Sequence, residues 1–146
     1  GYAGFGAMSF LAGAREDQRT RPSPFTLIEE NKAALVMARL HARLHGVDHV
    51  TLLPGTVEER LTRLEPGEVD TVIFDPPRAG CHPAVLAELA RLRPARLVYL
   101  SCDPSTLGRD LGRLAQKGYR AASQAVVDMF PQTYHIESVT LLLPAG

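Results

Sequence analysis

Arg96-Leu97-Val98-Tyr99-Leu100-Ser101-Cys102-Asp103-Pro104-Ser105-Thr106 is an apolar run that stops abruptly at a cysteine, a proline and a helix cap. Residues 96–100 predict a short buried strand. The residues after it predict a helix capped by Ser105 or Thr106, carried through Leu107, Arg109, Leu111 and Leu114 towards Lys117, and stopped by Gly118. Cys102 therefore falls at the carboxyl end of a strand, just before a helix N-terminus. In an open α/β sheet that edge is where ligands bind, and the positive end of a helix dipole lowers a thiol pKa from its free value of about 8.5. A lone cysteine after a strand is more often a small buried hydrophobe, so the reading turns on its neighbours.

Immediately upstream, Pro83 to Leu92 predicts a helix, and Val69-Asp70-Thr71-Val72-Ile73-Phe74 predicts a strand that runs into Asp75-Pro76-Pro77-Arg78-Ala79-Gly80. Two prolines forbid both a helix and a continued ladder, so the chain leaves the sheet there and presents Asp75 at its edge. Further back, Phe25 to Ile28 predicts a strand ending at Glu29, followed by a helix from about Asn31 to His45. Ala34, Leu35, Ala38, Ala42 and Leu44 supply much of its inner face, and Gly46 stops it. Val50 to Leu53 predicts the next strand, and Thr56 to Leu64 a short helix. Downstream, Tyr119 to Val127 and Ser138 to Leu143 predict two last strands with no helix between them. Strand and helix in alternation imply a doubly wound, mostly parallel sheet, and the closing pair implies an antiparallel C-terminal strand.

The ends of the chain carry their own signals. Gly4 and Gly6 precede a short apolar helix pattern, as in turns where glycines let the backbone approach a ligand, although a flexible end gives the same pattern. Glu29, at the end of the next strand, is placed to accept hydrogen bonds from ribose hydroxyls; it could also simply favour the start of the following helix. The 146 residues suffice for one domain with a real core. Sixteen basic and sixteen acidic residues balance, so no overall basic field draws the chain onto a phosphate backbone. Cys81 and Cys102 have neither metal-ligand spacing nor the density of a disulfide scaffold, which predicts no metal and a reducing, cytoplasmic setting. No apolar run reaches the roughly 20 residues that span a bilayer.

Three strand ends thus meet at one rim: Asp75 with its prolines, Cys102, and the stretch Asp128-Met129-Phe130-Pro131-Gln132-Thr133-Tyr134-His135-Ile136-Glu137. A thiol and two carboxylates suit a reaction in which a nucleophile adds covalently and a base later removes a proton. These stretches, together with Ser101-Cys102-Asp103-Pro104-Ser105-Thr106-Leu107-Gly108-Arg109-Asp110, resemble in residues, order and spacing the RNA uracil-5-methyltransferases, which modify transfer and ribosomal RNA with S-adenosylmethionine. The resemblance runs from the glycine turn to the C-terminus. It implies a Rossmann-like class I methyltransferase sheet and a single catalytic domain over residues 1–146. By the same resemblance Cys102 would attack C6 of the target uracil, Glu137 would remove the C5 proton, and Asp75 would hydrogen-bond the ring. Tyr2, Gly4, Gly6, Glu29 and Asp75 would hold S-adenosylmethionine, and the partner would be tRNA or rRNA, bound largely through upstream segments. His135 is expected to orient its loop, and Arg78 and Arg109 either contact RNA phosphates or are ordinary exposed arginines.

The sequence departs from the family pattern at Thr56, where an acid is common, and at Asp103, where asparagine is commoner. The strand that precedes the glycine turn in this fold is expected to be missing from this chain, which leaves a gap between the strand pair 25–28 and 50–53 and the other strands. Two unpaired edges then predict poor stability alone. The competing expectations are an S-adenosylmethionine enzyme acting on another substrate, or a non-catalytic RNA- or cofactor-binding module derived from such an enzyme.

Overall fold

A computed structural model describes residues 24–128, 132 and 136–146. They fall into two compact units that divide between Arg60 and Leu61.

The first unit holds β1 (Phe25–Glu29), α1 (Lys32–Leu44) and β2 (Val50–Pro54), and leads into α2 (Val57–Leu61). β1 and β2 pair in parallel, with Phe25 opposite Val50 and Glu29 opposite Pro54. Asn31 begins α1 by accepting hydrogen bonds at Oδ1 from the N–H groups of Ala33 (2.9 Å) and Ala34 (3.3 Å). Ala34, Ala38 and Ala42, four residues apart, form the buried stripe, and their small side chains let the helix lie close to the strands. The expected inner face is corrected at Leu44, which is 70% exposed. Two residues beyond Ala42, it lies about 200° around the helix from the buried stripe. Val36, Met37 and Leu40 share that outer face.

The second unit holds β3 (Thr71–Phe74), α3 (Pro83–Leu92), β4 (Arg96–Ser101), α4 (Pro104–Gln116), β5 (Tyr119–Val127) and β6 (Glu137–Pro144). Its sheet has the order β3-β4-β6-β5. β3 and β4 run parallel, and β6 inserts antiparallel to both β4 and β5, so the mostly parallel expectation with an antiparallel last strand holds. Leu97, Tyr99 and Ser101 of β4 and Ser138, Thr140 and Leu142 of β6 alternate onto one buried face. The Tyr99 hydroxyl bonds Asp110 of α4 (2.9 Å), so α4 covers that face. Leu86, Leu89, Leu92, Leu97, Leu114 and Leu142 are each at most 1% exposed, and each such burial contributes roughly 2 kcal/mol. No described strand ladders to both sheets.

Candidate active site

Cys102 is half-buried at the end of β4. The chain turns there because Ser101 Oγ accepts from the Asp103 N–H (3.2 Å) and donates to the Asp103 carbonyl (3.0 Å). The cap of α4 is Asp103 rather than the expected Ser105 or Thr106: its Oδ1 accepts from the N–H groups of Ser105 (3.0 Å) and Thr106 (2.9 Å). Pro104 explains the shift, since proline favours the first helical position and so moves the cap one residue upstream of it. The Ser105 hydroxyl also donates to Asp103 (2.6 Å), and this bond leads the causes that hold the Asp103 carboxyl below its ordinary range.

The sheet register determines which expected residues meet. β4 and β6 pair through Ser101 opposite Ser138, where the Ser138 hydroxyl donates to the Ser101 carbonyl (3.3 Å). The ladder ends with that pair: Cys102 follows the last residue of β4, and Glu137 is the residue of β6 next to Ser138. Glu137 is the first residue of β6 rather than part of the preceding loop, and it also pairs with Val127. Phe74, the last residue of β3, pairs with Tyr99 in the parallel ladder, so Asp75 leaves β3 at the same end of the sheet at which Cys102 leaves β4. Asp75 keeps an exposed side. Even so, the protein packed around its carboxyl makes desolvation the largest cause of a raised pKa, and the charge of Glu137 adds to it. Asp75, Cys102 and Glu137 are thus brought to one end of one sheet.

The Asp75–Gly80 loop is docked on α4 by its backbone. The carbonyl of Arg78 accepts from Thr106 Oγ1 (3.2 Å), that of Ala79 from an Arg109 Nη (2.8 Å), and the Cys81 N–H donates to Asp110 Oδ2 (2.6 Å). Asp110, fully buried, closes the quoted stretch 101–110 but carries no role in the sequence expectations. Its signal was a carboxylate on the buried stripe between Leu107 and Leu114. Burial opposes its charge, but hydrogen bonds from Arg109, the Cys81 N–H and Tyr99 outweigh that and keep its pKa low. Arg109 is exposed, as expected, and in addition donates to Asp110 and to the Ala79 carbonyl.

Glu29 ends β1, buried, and its Oε1 accepts from the Asn31 N–H (2.8 Å). That bond fixes an acceptor-only carboxylate at the carboxyl end of a parallel strand, a fit for ribose hydroxyls. Thr56 caps α2, accepting from the Glu59 N–H (3.3 Å). Tyr2, Gly4, Gly6 and His135 lie outside the described residues. Among the described residues no cluster of three metal-ligating side chains occurs, and no helix is long and apolar enough to cross a membrane.

Alternating strands and helices with an inserted antiparallel last strand define the class I methyltransferase architecture, and two structural similarities agree. A tRNA (uracil-54, C5)-methyltransferase from Pyrococcus abyssi, solved with S-adenosyl-L-homocysteine, superposes with a TM-score of 0.71 at 36% identity, covering 81% of this chain and 28% of that one. TrmN from Thermus thermophilus shares the fold, with a TM-score of 0.67 at 19% identity over 98% of this chain and 42% of that one. The sequence profile of the tRNA (uracil-5-)-methyltransferase family matches residues 28–144, and the chain belongs to that family. An uncharacterized RNA methyltransferase of Caldanaerobacter subterraneus is 40% identical over 97% of this chain and 30% of its own length. One from Streptomyces coelicolor is 39% identical over 99% and 31%. The chain therefore spans about a third of the curated relatives it matches.

Proposed function

We propose that this chain is the catalytic domain of an S-adenosylmethionine-dependent RNA methyltransferase that methylates C5 of a uridine in tRNA or rRNA. The observation that supports the reading is that Asp75 and Cys102 directly follow β3 and β4 where Glu137 begins β6, at one end of one sheet, with the charge of Glu137 felt at Asp75. C5 of uracil is a weak nucleophile until its ring is activated. Cys102, as thiolate, adds its sulfur electron pair to C6, and the C5–C6 π pair moves into the ring as an enolate. Asp75 hydrogen-bonds the ring and steadies that adduct. C5 of the enolate takes a methyl group, which bound S-adenosylmethionine would supply as an electrophile, its sulfonium becoming a neutral thioether. Glu137 then takes the C5 proton, the released pair restores C5–C6, and the Cys102 thiolate departs. On the cofactor side, Glu29 would accept from the ribose hydroxyls, and Tyr2, Gly4 and Gly6 would hold the amino-acid portion.

In the full-length protein, Cys102→Ala is expected to abolish formation of 5-methyluridine, and Glu137→Gln to accumulate methylated RNA still bound to the thiol, because the C5 proton has no acceptor. Turnover that survives Cys102→Ala would move the reading to a methyltransferase acting on another atom. Loss of cofactor binding by the wild-type protein would move it to a non-catalytic module.

A further inference from the structure

We infer that Asp110 is a positioning residue: its buried carboxylate, together with Arg109, fixes the loop that carries Asp75 against the helix that begins beyond Cys102. The inference rests on the reading of Cys102 and Asp75 given above. Asp110 is fully buried and accepts four hydrogen bonds, from the Cys81 N–H (2.6 Å) and the Tyr99 hydroxyl (2.9 Å) at Oδ2, and from Arg109 (3.0 Å) and Arg113 (3.4 Å) at Oδ1. These donors come from three places: the end of the 75–81 loop, the strand β4, and α4 itself. Arg109 extends the same contact by donating to the Ala79 carbonyl (2.8 Å), and Thr106 to that of Arg78 (3.2 Å).

The loop is thus gripped by main-chain atoms at three of four consecutive residues. Gly80 makes the approach possible. Its φ is +83°, and a Cβ there would stand 2.6 Å from Asp110 Oδ2 and 3.1 Å from Thr106 Cβ, besides meeting Arg109. The prolines at 76 and 77 stiffen the short path back to Asp75, so a displacement at Gly80 is passed on to that carboxylate. Stability alone is a poor reason for such a group, since a buried charged network is often no better than an apolar replacement of the same volume. Its distinctive product is geometry: one side chain ties the elements that bear Asp75 and Cys102.

The test uses the full-length protein, with single-turnover methyl transfer to unmodified RNA at saturating S-adenosylmethionine, in wild type, Asp110→Asn, Asp75→Asn and the double variant. Misplacement on the ångström scale costs up to about 100-fold in rate. Asp110→Asn is expected to lose rate on that order with the RNA KM nearly unchanged, and to lose little more when Asp75 is already Asn, because both changes act through one carboxylate. Amide exchange over residues 75–82, read without RNA, is expected to rise about tenfold in Asp110→Asn while β4 and β6 keep their protection. An equal rate loss with and without Asp75, an unchanged rate with only a lower melting temperature, or an unchanged or uniformly raised exchange would each overturn the proposal. If Asp110→Asn does not fold, Arg109→Lys, at a side chain 41% exposed, loses the Ala79 contact and is expected to show the same pattern at smaller size. Failure of the underlying reading is visible without touching α4, as wild-type turnover that persists in Cys102→Ala, and it would remove this proposal too.

Discussion

Thr140 is fully buried opposite Tyr99, and its hydroxyl is the buried side-chain oxygen left without a hydrogen-bond partner among the described residues. A stranded donor of this kind costs about 1–3 kcal/mol. Thr140→Val, similar in shape and suited to a strand, is therefore expected to raise stability by about 1 kcal/mol, read as a melting temperature higher by about 2–4 °C. The site carboxylates have opposite effects. Asp75 has a raised pKa, so the native state is penalised above that pKa, and the penalty vanishes as pH falls through it towards the unfolded value. Asp75→Asn is expected to melt above wild type at pH 7, with the gain shrinking as pH drops. Asp110 has a lowered pKa, so its contribution is whole above the unfolded value of about 4 and is lost only as pH falls further. The Asp110→Asn deficit is expected to persist from pH 7 to about 4 and to narrow below it; melting curves across that range check both signs. Glu29→Gln keeps an acceptor for the Asn31 N–H but loses the charge. It is expected to weaken S-adenosylmethionine binding about tenfold by calorimetry, the scale of one charge-assisted hydrogen bond.

Most elements were legible because local chemistry marks their ends: Pro83 opens α3, Gly46 and Gly118 follow α1 and α4, and the prolines at 76 and 77 close β3. The errors came from contests between local signals. Proline at position 104 took the first helical position and handed the cap to Asp103, and Leu44 fell on the wrong side of α1 for its hydrophobicity. What no local pattern contains is register. That Cys102 and Glu137, 35 positions apart in sequence, come to the same end of one sheet depends on β6 inserting between β4 and β5. The docking of the 75–80 loop on α4 is equally non-local, and Gly80 is its tight point. Gly80→Ala combines a left-handed φ with a contact against a buried carboxylate; a loss of about 2 kcal/mol is expected by denaturant unfolding, with an unchanged m-value.

For the whole molecule, two compact units carry the residues assigned to cofactor and to chemistry: Glu29 in the first, and Asp75, Cys102 and Glu137 in the second. The family was legible because its motifs fall at strand ends, where an open α/β sheet gathers its reacting groups. Tyr2, Gly4 and Gly6, expected to hold the cofactor, lie outside the described residues. The central claim is that Cys102 bonds covalently to the base. The direct measurement is intact mass of the full-length protein after incubation with S-adenosylmethionine and tRNA or rRNA carrying 5-fluorouridine, beside Cys102→Ala. Fluorine at C5 cannot leave as a proton, so the account predicts a methylated RNA adduct that maps to Cys102 and is absent from the variant. Wild-type protein that binds cofactor and methylates natural RNA, yet forms no adduct with the fluorinated RNA, would contradict it.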